Sequence, residues 1–165
     1  MSTELHWVSG PWPGRLALSA RPRGGDWLQD EISGWKRSGV DAILSLLTGD
    51  EEQDLDLVGE ATMAKKQGLD FTAFPIPDRQ VPKSEAQLRQ TLEKINAALL
   101  SGRNVVVHCR QGIGRTGLVA ACLLIKNGMS PGAAFETITA SRGVTVPETA
   151  EQREWIERFA PALTK

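Results

Sequence analysis

The sequence predicts an α/β fold, a mostly parallel central sheet flanked by helices on both faces. Three observations lead to it. Short apolar runs alternate along the chain with stretches of helical periodicity, the order expected of strands joined by crossover helices. Residues 40–47 (VDAILSLL) and 104–108 (NVVVH) are nearly continuous apolar, as strands buried on both sides are. Gly39, Gly68 and Gly102 each close a helical stretch just before such a run.

Taken in order, residues 1–25 are rich in Pro and Gly and are expected to wrap the surface irregularly, with Leu16–Ser19 a short edge strand. Asp26 is placed to cap a helix reaching about Ser38, whose Leu28, Ile32 and Trp35 share a face. After the strand at 40–47, a second helix is expected over 51–67 and a strand over 70–74. Three prolines exclude regular structure from 75–83, PIPDRQVPK. Ser84 and Gln87 form a capping-box pair opening a long helix with the stripe Leu88, Leu92, Ile95 and Leu99. Residues 116–127 make an almost wholly apolar helix, expected at the centre of the fold. Ser130 and Pro131 suit the cap and first turn of the next helix. A last helix over 147–159 buries Trp155, Ile156 and Phe159, so residues 1–165 read as one domain.

Bulk properties exclude several classes. A net charge of −1 draws the chain neither to nucleic acid nor to a membrane surface. No apolar run approaches the roughly 18 residues a membrane span needs, and the N-terminus lacks a secretory pattern. Cys109 and Cys122 are too few for a disulfide framework. A cytoplasmic, reducing location fits, where a free thiol stays reactive. A monomer without metal or other cofactor is expected. The absence of tyrosine excludes control through phosphorylation of the chain's own tyrosines.

The informative segment is NVVVHCRQGIGRTGLVAACLLI, a strand, a tight loop and a helix. Such a junction turns successive backbone N–H groups inward at the positive end of a helix dipole and builds an anion site. Gly112, Gly114 and Gly117 permit the tight path. Arg110, Gln111, Gly112, Ile113 and Gly114 form the phosphate cradle, and Arg115 can return across it to grip two phosphate oxygens with its planar fork. A thiol with an ordinary pKa near ~8.5 is only about 3% ionised at neutral pH. A helix N-terminus and nearby cations can lower that value by several units, so Cys109 at the mouth of the cradle is the candidate nucleophile for in-line attack on phosphorus. The competing structural reading is a Gly-rich turn with a buried cysteine. The conjunction of buried strand, His-Cys, internal glycines, Arg-Thr-Gly and helix weighs against it.

The stretch HCRQGIGRT, His108 to Thr116, resembles the HCxxGxxR-Ser/Thr signature of dual-specificity phosphatases within the protein tyrosine phosphatase superfamily. The likeness extends from ARP at 20–22 through DAILSLL to the last helix and is strongest to small phosphatases of the cyclin-dependent kinase inhibitor 3 type. It implies the cysteine-phosphatase fold and a phosphocysteine intermediate. It also implies a general acid on a mobile loop upstream, for which Asp78 in FPIPDRQVP is the candidate and Asp70 the fallback. Thr116 takes the place of the hydroxyl that bonds the sulfur and eases its departure. His108 orients the loop and tunes the thiolate. VPETAEQREWI is similar to a water-positioning loop, but Glu148 stands where that loop has its first Gln, and only Gln152 matches. Thr149 and Glu148 read more simply as a helix N-terminus, and Cys122 as core packing.

Four functions compete. A protein phosphatase acting on phosphotyrosine, with phosphoserine and phosphothreonine as further substrates, fits the whole motif. A phosphatase for inositides or other small phosphoesters favours two basic loop residues, whereas this loop has Arg110 but an apolar Ile113. A rhodanese-type sulfurtransferase needs no general acid, and a non-catalytic phosphate reader needs no nucleophile. Arg115-Thr116 and Asp78 argue against the third, and intact Cys109, Arg115 and Asp78 against the fourth.

Overall fold

The computed structural model describes residues 3–164. Five strands, β1 (His6–Val8), β2 (Leu16–Ser19), β3 (Ala42–Ser45), β4 (Asp70–Ala73) and β5 (Val105–His108), form one sheet in the order β1-β2-β5-β3-β4. β1 runs antiparallel to β2, and the other pairings are parallel. Parallel neighbours need long crossovers. These are α1 (Leu28–Arg37) from β2 to β3, α2 (Gly49–Asp54) and α3 (Glu60–Lys66) from β3 to β4, and α4 (Glu85–Leu100) from β4 to β5. α5 (Gly114–Lys126), α6 (Pro131–Arg142) and α7 (Ala150–Leu163) complete the chain.

The period-two alternation of strand side chains divides the core between two faces. Leu16, Leu18, Ala42, Leu44, Val105 and Val107 pack with residues of α4 to α7. Ala17, Ile43 and Val106 pack on the other face with Ile32 and Trp35 of α1 and Ala64 of α3. Burial on both sides is why these strands read as unbroken apolar runs. α5 is buried from Gly114 through Ile125, packed against β2, α4, α6 and α7. Truncating a side chain such as Leu118 there leaves a hole costing about 2–5 kcal/mol.

Four local expectations need correction. Leu16–Ser19 is an inner strand, wholly buried between β1 and β5, because Leu16 and Leu18 face one layer and Ala17 the other. The N-terminal segment therefore contributes two strands. Asp26 does not cap α1: it lies within a 3-10 turn, Gly25–Trp27, docked by the Gly25 N–H on the Asp56 carbonyl at 3.1 Å, and Trp27 precedes the helix without a side-chain cap. The single helix expected over 51–67 is two helices. Asp56 takes a left-handed φ of 56°, and the break turns Leu57 into the core. The last helix starts at Ala150, not 147, where Thr149 and Gln152 make a full capping box. Ser84 accepts the Gln87 N–H at 3.2 Å, half of the box expected there.

In register, Ser19, His108 and Ser45 end three adjacent parallel strands side by side. The loop joining β5 to α5 thus opens at the carboxyl end of the central strand, where open α/β sheets form their ligand crevices.

Candidate active site

Five residues, Cys109 to Ile113, connect the end of β5 to the start of α5. Cys109 is 3% exposed, and its Sγ accepts the Gly112 N–H at 3.3 Å. Gly112 has φ 75°, and a Cβ there would sit 2.4 Å from the Ser19 carbonyl carbon, so only glycine fits. Arg142, in the last turn of α6, donates from Nη2 to the Gln111 carbonyl at 3.0 Å and from Nε to the Gly112 carbonyl at 3.1 Å. A trans peptide points its C=O and N–H in opposite directions. Drawing these two carbonyls outward aims the N–H groups of Gly112 and Ile113 inward, and that of Gly112 reaches the sulfur.

Arg115, in the first turn of α5, is 1% exposed and held on all sides. Nη1 donates to Glu51 Oε1 at 2.6 Å and to the Ile76 carbonyl at 2.9 Å. Nη2 donates to Glu51 Oε2 at 2.9 Å and to Asp78 Oδ1 at 3.0 Å. Glu51 is itself fixed by a capping box: its Oε1 accepts the Thr48 N–H at 3.1 Å while Thr48 Oγ1 accepts the Glu51 N–H at 3.3 Å. Burial acts to raise the Glu51 carboxyl. The Arg115 hydrogen bonds, the Thr48 N–H and the Arg115 charge outweigh it and bring the pKa down to about 2. Burial acts against the Arg115 charge as well, but the Glu51 hydrogen bonds and the charges of Cys109, Glu51 and Asp78 hold the guanidinium above its ordinary value. Arg110 turns outward and donates from Nε to Glu51 Oε2 at 3.3 Å.

Asp78 sits in the irregular segment between β4 and α4, in a turn closed by the Gln80 N–H on the Pro77 carbonyl at 3.0 Å, with Arg79 at φ 61°. Its side chain is half-exposed. Three anchors hold this segment over the loop: Arg115 on the Ile76 carbonyl, Gln152 Nε2 on the Gln80 carbonyl at 3.1 Å, and Arg79 paired with Glu148 at 3.3 Å. Cys109, Arg115, Asp78, Gln111, Arg79 and Glu148 line a cavity of about 110 Å³. A larger cavity of about 440 Å³, lined in part by Arg89, Lys126 and Arg158, opens near the far end of α5 and has no cysteine in its lining.

Behind the loop, His108 is fully buried, with Nε2 2.7 Å from Glu60 Oε2 and Nδ1 3.4 Å from the Cys109 carbonyl. Ile113 is half-buried against the core and precedes α5. Thr116 is buried, but its hydroxyl makes no hydrogen bond among the described residues, the sulfur included. Asp70 pairs with Arg103 at 2.5 Å on the edge strand and does not line the cavity. Cys122 is fully buried, and that burial pushes its thiol up, out of any reactive range.

The structure therefore brings Cys109, Gln111, Gly114, Arg115 and Asp78 to one cavity and leaves Arg110, Gly112, Ile113, Thr116 and His108 outside its lining. Sequence reasoning missed Glu51, Glu60, Arg79 and Arg142. Glu51 had a legible signal, since Thr48-x-x-Glu51 is a capping-box pair. Arg142 had none, a cation in a last helical turn being ordinary.

A cysteine-bearing loop at a strand end, a buried arginine and a carboxylate over the cavity are the arrangement of a cysteine-phosphatase fold. The chain belongs to the family described as Tc-R-P, polymorphic toxin system DSP-PTPase phosphatase, which matches residues 19–129. Cyclin-dependent kinase inhibitor 3 from Rattus norvegicus is 26% identical over 138 residues, which are 82% of this chain and 65% of that protein. The chain thus spans about two-thirds of that relative's length. Among solved structures, kinase associated phosphatase with its catalytic-site cysteine replaced by serine superposes with TM-score 0.91 at 24% identity, over 99% of this chain and 97% of that one. The active form of Tk-PTP gives TM-score 0.78 at 26% identity, covering 95% and 96% of the two chains.

Proposed function

We propose that this protein hydrolyses phosphate monoesters through a phosphocysteine, acting in the cytoplasm as a monomer on phosphotyrosine of a protein substrate, with phosphoserine and phosphothreonine as secondary substrates. One observation carries the reading: Cys109 Sγ, the Arg115 fork and the Asp78 carboxyl meet at a single small cavity. The Cys109 thiolate attacks phosphorus in line, the S–P bond forms, and the P–O bond to the leaving group breaks. Asp78 gives its proton to the departing oxygen. The backbone N–H groups and Arg115 stabilise the equatorial oxygens. Phosphate takes over the Arg115 Nη2 contact that Asp78 now occupies, which frees the carboxyl to face the leaving oxygen. Water then attacks phosphorus, Asp78 accepts its proton, and the thiolate departs. Thr116 contributes to that last step by turning its unengaged hydroxyl toward the sulfur.

The preference for a protein phosphoester over a polyphosphorylated inositide rests on charge. Every cation lining the cavity is already paired: Arg115 with Glu51 and Asp78, and Arg79 with Glu148. Arg110 beside it is paired with Glu51. Glu148 holds Arg79 at the rim, so no unpaired cation of the lining is left to meet a second phosphate. The test is turnover of a phosphopeptide panel beside inositol phosphates, using the unsubstituted protein and Cys109→Ser. The expected result is phosphotyrosine turnover that Cys109→Ser abolishes while oxyanion binding persists. Unchanged rates in Cys109→Ser would end the mechanism, and inositol phosphates as the better substrates would end the substrate assignment.

A further inference from the structure

The cavity chemistry leaves the buried carboxylate of Glu60 without a role. Glu60 opens α3 and is fully buried, and among the described residues its side chain has one hydrogen-bond partner, His108 Nε2, 2.7 Å from Oε2. Its Oε1 has no partner among the described residues. A lone buried carboxylate oxygen costs at least about 1–3 kcal/mol, so the fold tolerates a penalty to keep this group in place. His108 is fully buried too, its ring 5.9 Å from that of Trp35. Both ring nitrogens face oxygens: Nε2 the Glu60 carboxylate, Nδ1 the Cys109 carbonyl at 3.4 Å. A carbonyl can only accept, and an ionised carboxylate can only accept. A neutral imidazole has one N–H and satisfies both oxygens only if Glu60 itself carries a proton. Glu60 stands in the first turn of α3, where the helix dipole favours negative charge, and against an ionised Glu60 only the doubly protonated ring satisfies both.

We propose that Glu60 is a positioning residue that holds His108 as an imidazolium behind the nucleophile. The ring then fixes the Cys109 carbonyl away from the cavity and sets a positive charge next to the sulfur. The inference rests on the Cys109 assignment above and adds to it a partner outside the signature loop. The other charged group facing this pair is Glu52 of α2. Burial, first, and then the Glu60 charge push the Glu52 carboxyl up, while His108 draws it down. Glu52 is half-buried and Glu60 is sealed in and directly bonded, so Glu60 governs the ring.

Two measurements test this without requiring turnover. The chain has two histidines, so the ring ¹⁵N signals of His108 are separated from those of His6 by one substitution, His6→Gln. In the protein without changes at Glu60, both His108 ring nitrogens should carry protons at neutral pH. A singly protonated His108 ring would overturn the proposal, whether or not any Glu60 variant folds. The second measurement is the rate of Cys109 alkylation by iodoacetamide against pH. Glu60→Gln keeps an acceptor for Nε2–H but removes the charge, so His108 should become neutral and the alkylation profile should move to higher pH by about one unit, a roughly tenfold slower reaction on the rising limb. Glu60→Asp, which restores the charge, should recover part of that shift. A Glu60→Gln protein that folds with an unmoved profile and an unchanged His108 ring would show Glu60 to be packing alone. These readouts separate this proposal from the phosphatase reading, since an enzyme active on phosphopeptides could fail them and a protein inactive on every ester could pass.

Discussion

Arg115 donates three hydrogen bonds to carboxylates and one to a carbonyl while almost wholly buried, so its guanidinium is oriented before any phosphate arrives. Preorganisation of this kind matters because a charge already aimed at the transition state needs no rearrangement when the reaction occurs. Lysine at this position keeps the charge and loses the fork. Arg115→Lys cannot bridge both Glu51 oxygens and still present two donors to phosphate. The expected outcome is a fall in kcat/KM of two or more orders of magnitude, about 3 kcal/mol, measured on a phosphotyrosine peptide. Near-normal kcat/KM in Arg115→Lys would remove the bidentate contact from the mechanism. The two cysteines make the complementary point: the same side chain is the proposed nucleophile at the cavity and a core residue two turns into α5, where burial alone raises its thiol.

Elements position what residues perform. Beyond Ile76, whose N–H bonds the Leu46 carbonyl at 3.0 Å, the irregular segment from Pro75 to Lys83 has no ladder to hold it, yet Asp78 must face the cavity. Its three anchors come from different elements: α5 through Arg115, the first turn of α7 through Gln152, and the approach to α7 through Glu148. If Asp78 is the proton donor, Asp78→Asn should lower kcat by roughly 10²–10⁴-fold on an ester with a poor leaving group. The loss should be much smaller on an activated aryl phosphate, whose leaving oxygen departs without a proton. Gln152→Ala is the control for the segment itself. It removes an anchor without removing the proton, and should slow both substrates by similar factors. Equal losses in Asp78→Asn on both substrates would make Asp78 a turn residue only. The water-positioning role that the likeness suggested for Gln152 is not needed to explain its burial, since its side chain is taken up by the Gln80 carbonyl and the Thr149 cap.

At the scale of the whole molecule, the central sheet and the nucleophile loop were legible because both are local in sequence. A strand buried on two faces must be apolar throughout, and an anion loop must be Gly-rich, so residues 104–117 announce themselves. What sequence could not show was contact across long separations. Glu51 and Arg115 lie 64 positions apart, and Glu60 and His108 lie 48 apart. Nothing in either segment alone says that the carboxylates turn inward. The expected helix over 51–67 would have run both of them along one rod; the break at Asp56 lets α2 address Arg115 and α3 address His108. Glu51 also ties the stability of the molecule to pH. Its carboxyl stands at about 2 in the folded protein against an ordinary 4.5. A group depressed on folding contributes stability that is present in full above its unfolded value and disappears as pH falls through its folded value. For Glu51 that window runs from about pH 5 down to about pH 2, and the difference corresponds to on the order of 3 kcal/mol. Thermal melts of the parent protein should therefore lose Tm across this window. Glu51→Gln should be less stable at pH 7, because Arg115 stays buried without its main counter-charge. The gap between the two should narrow steadily as pH falls toward and through about 2, below which the parent also carries a neutral side chain. Parallel curves with a constant gap would mean that the Glu51 charge is not coupled to folding, and that its bond to Arg115 aligns the site without stabilising the fold.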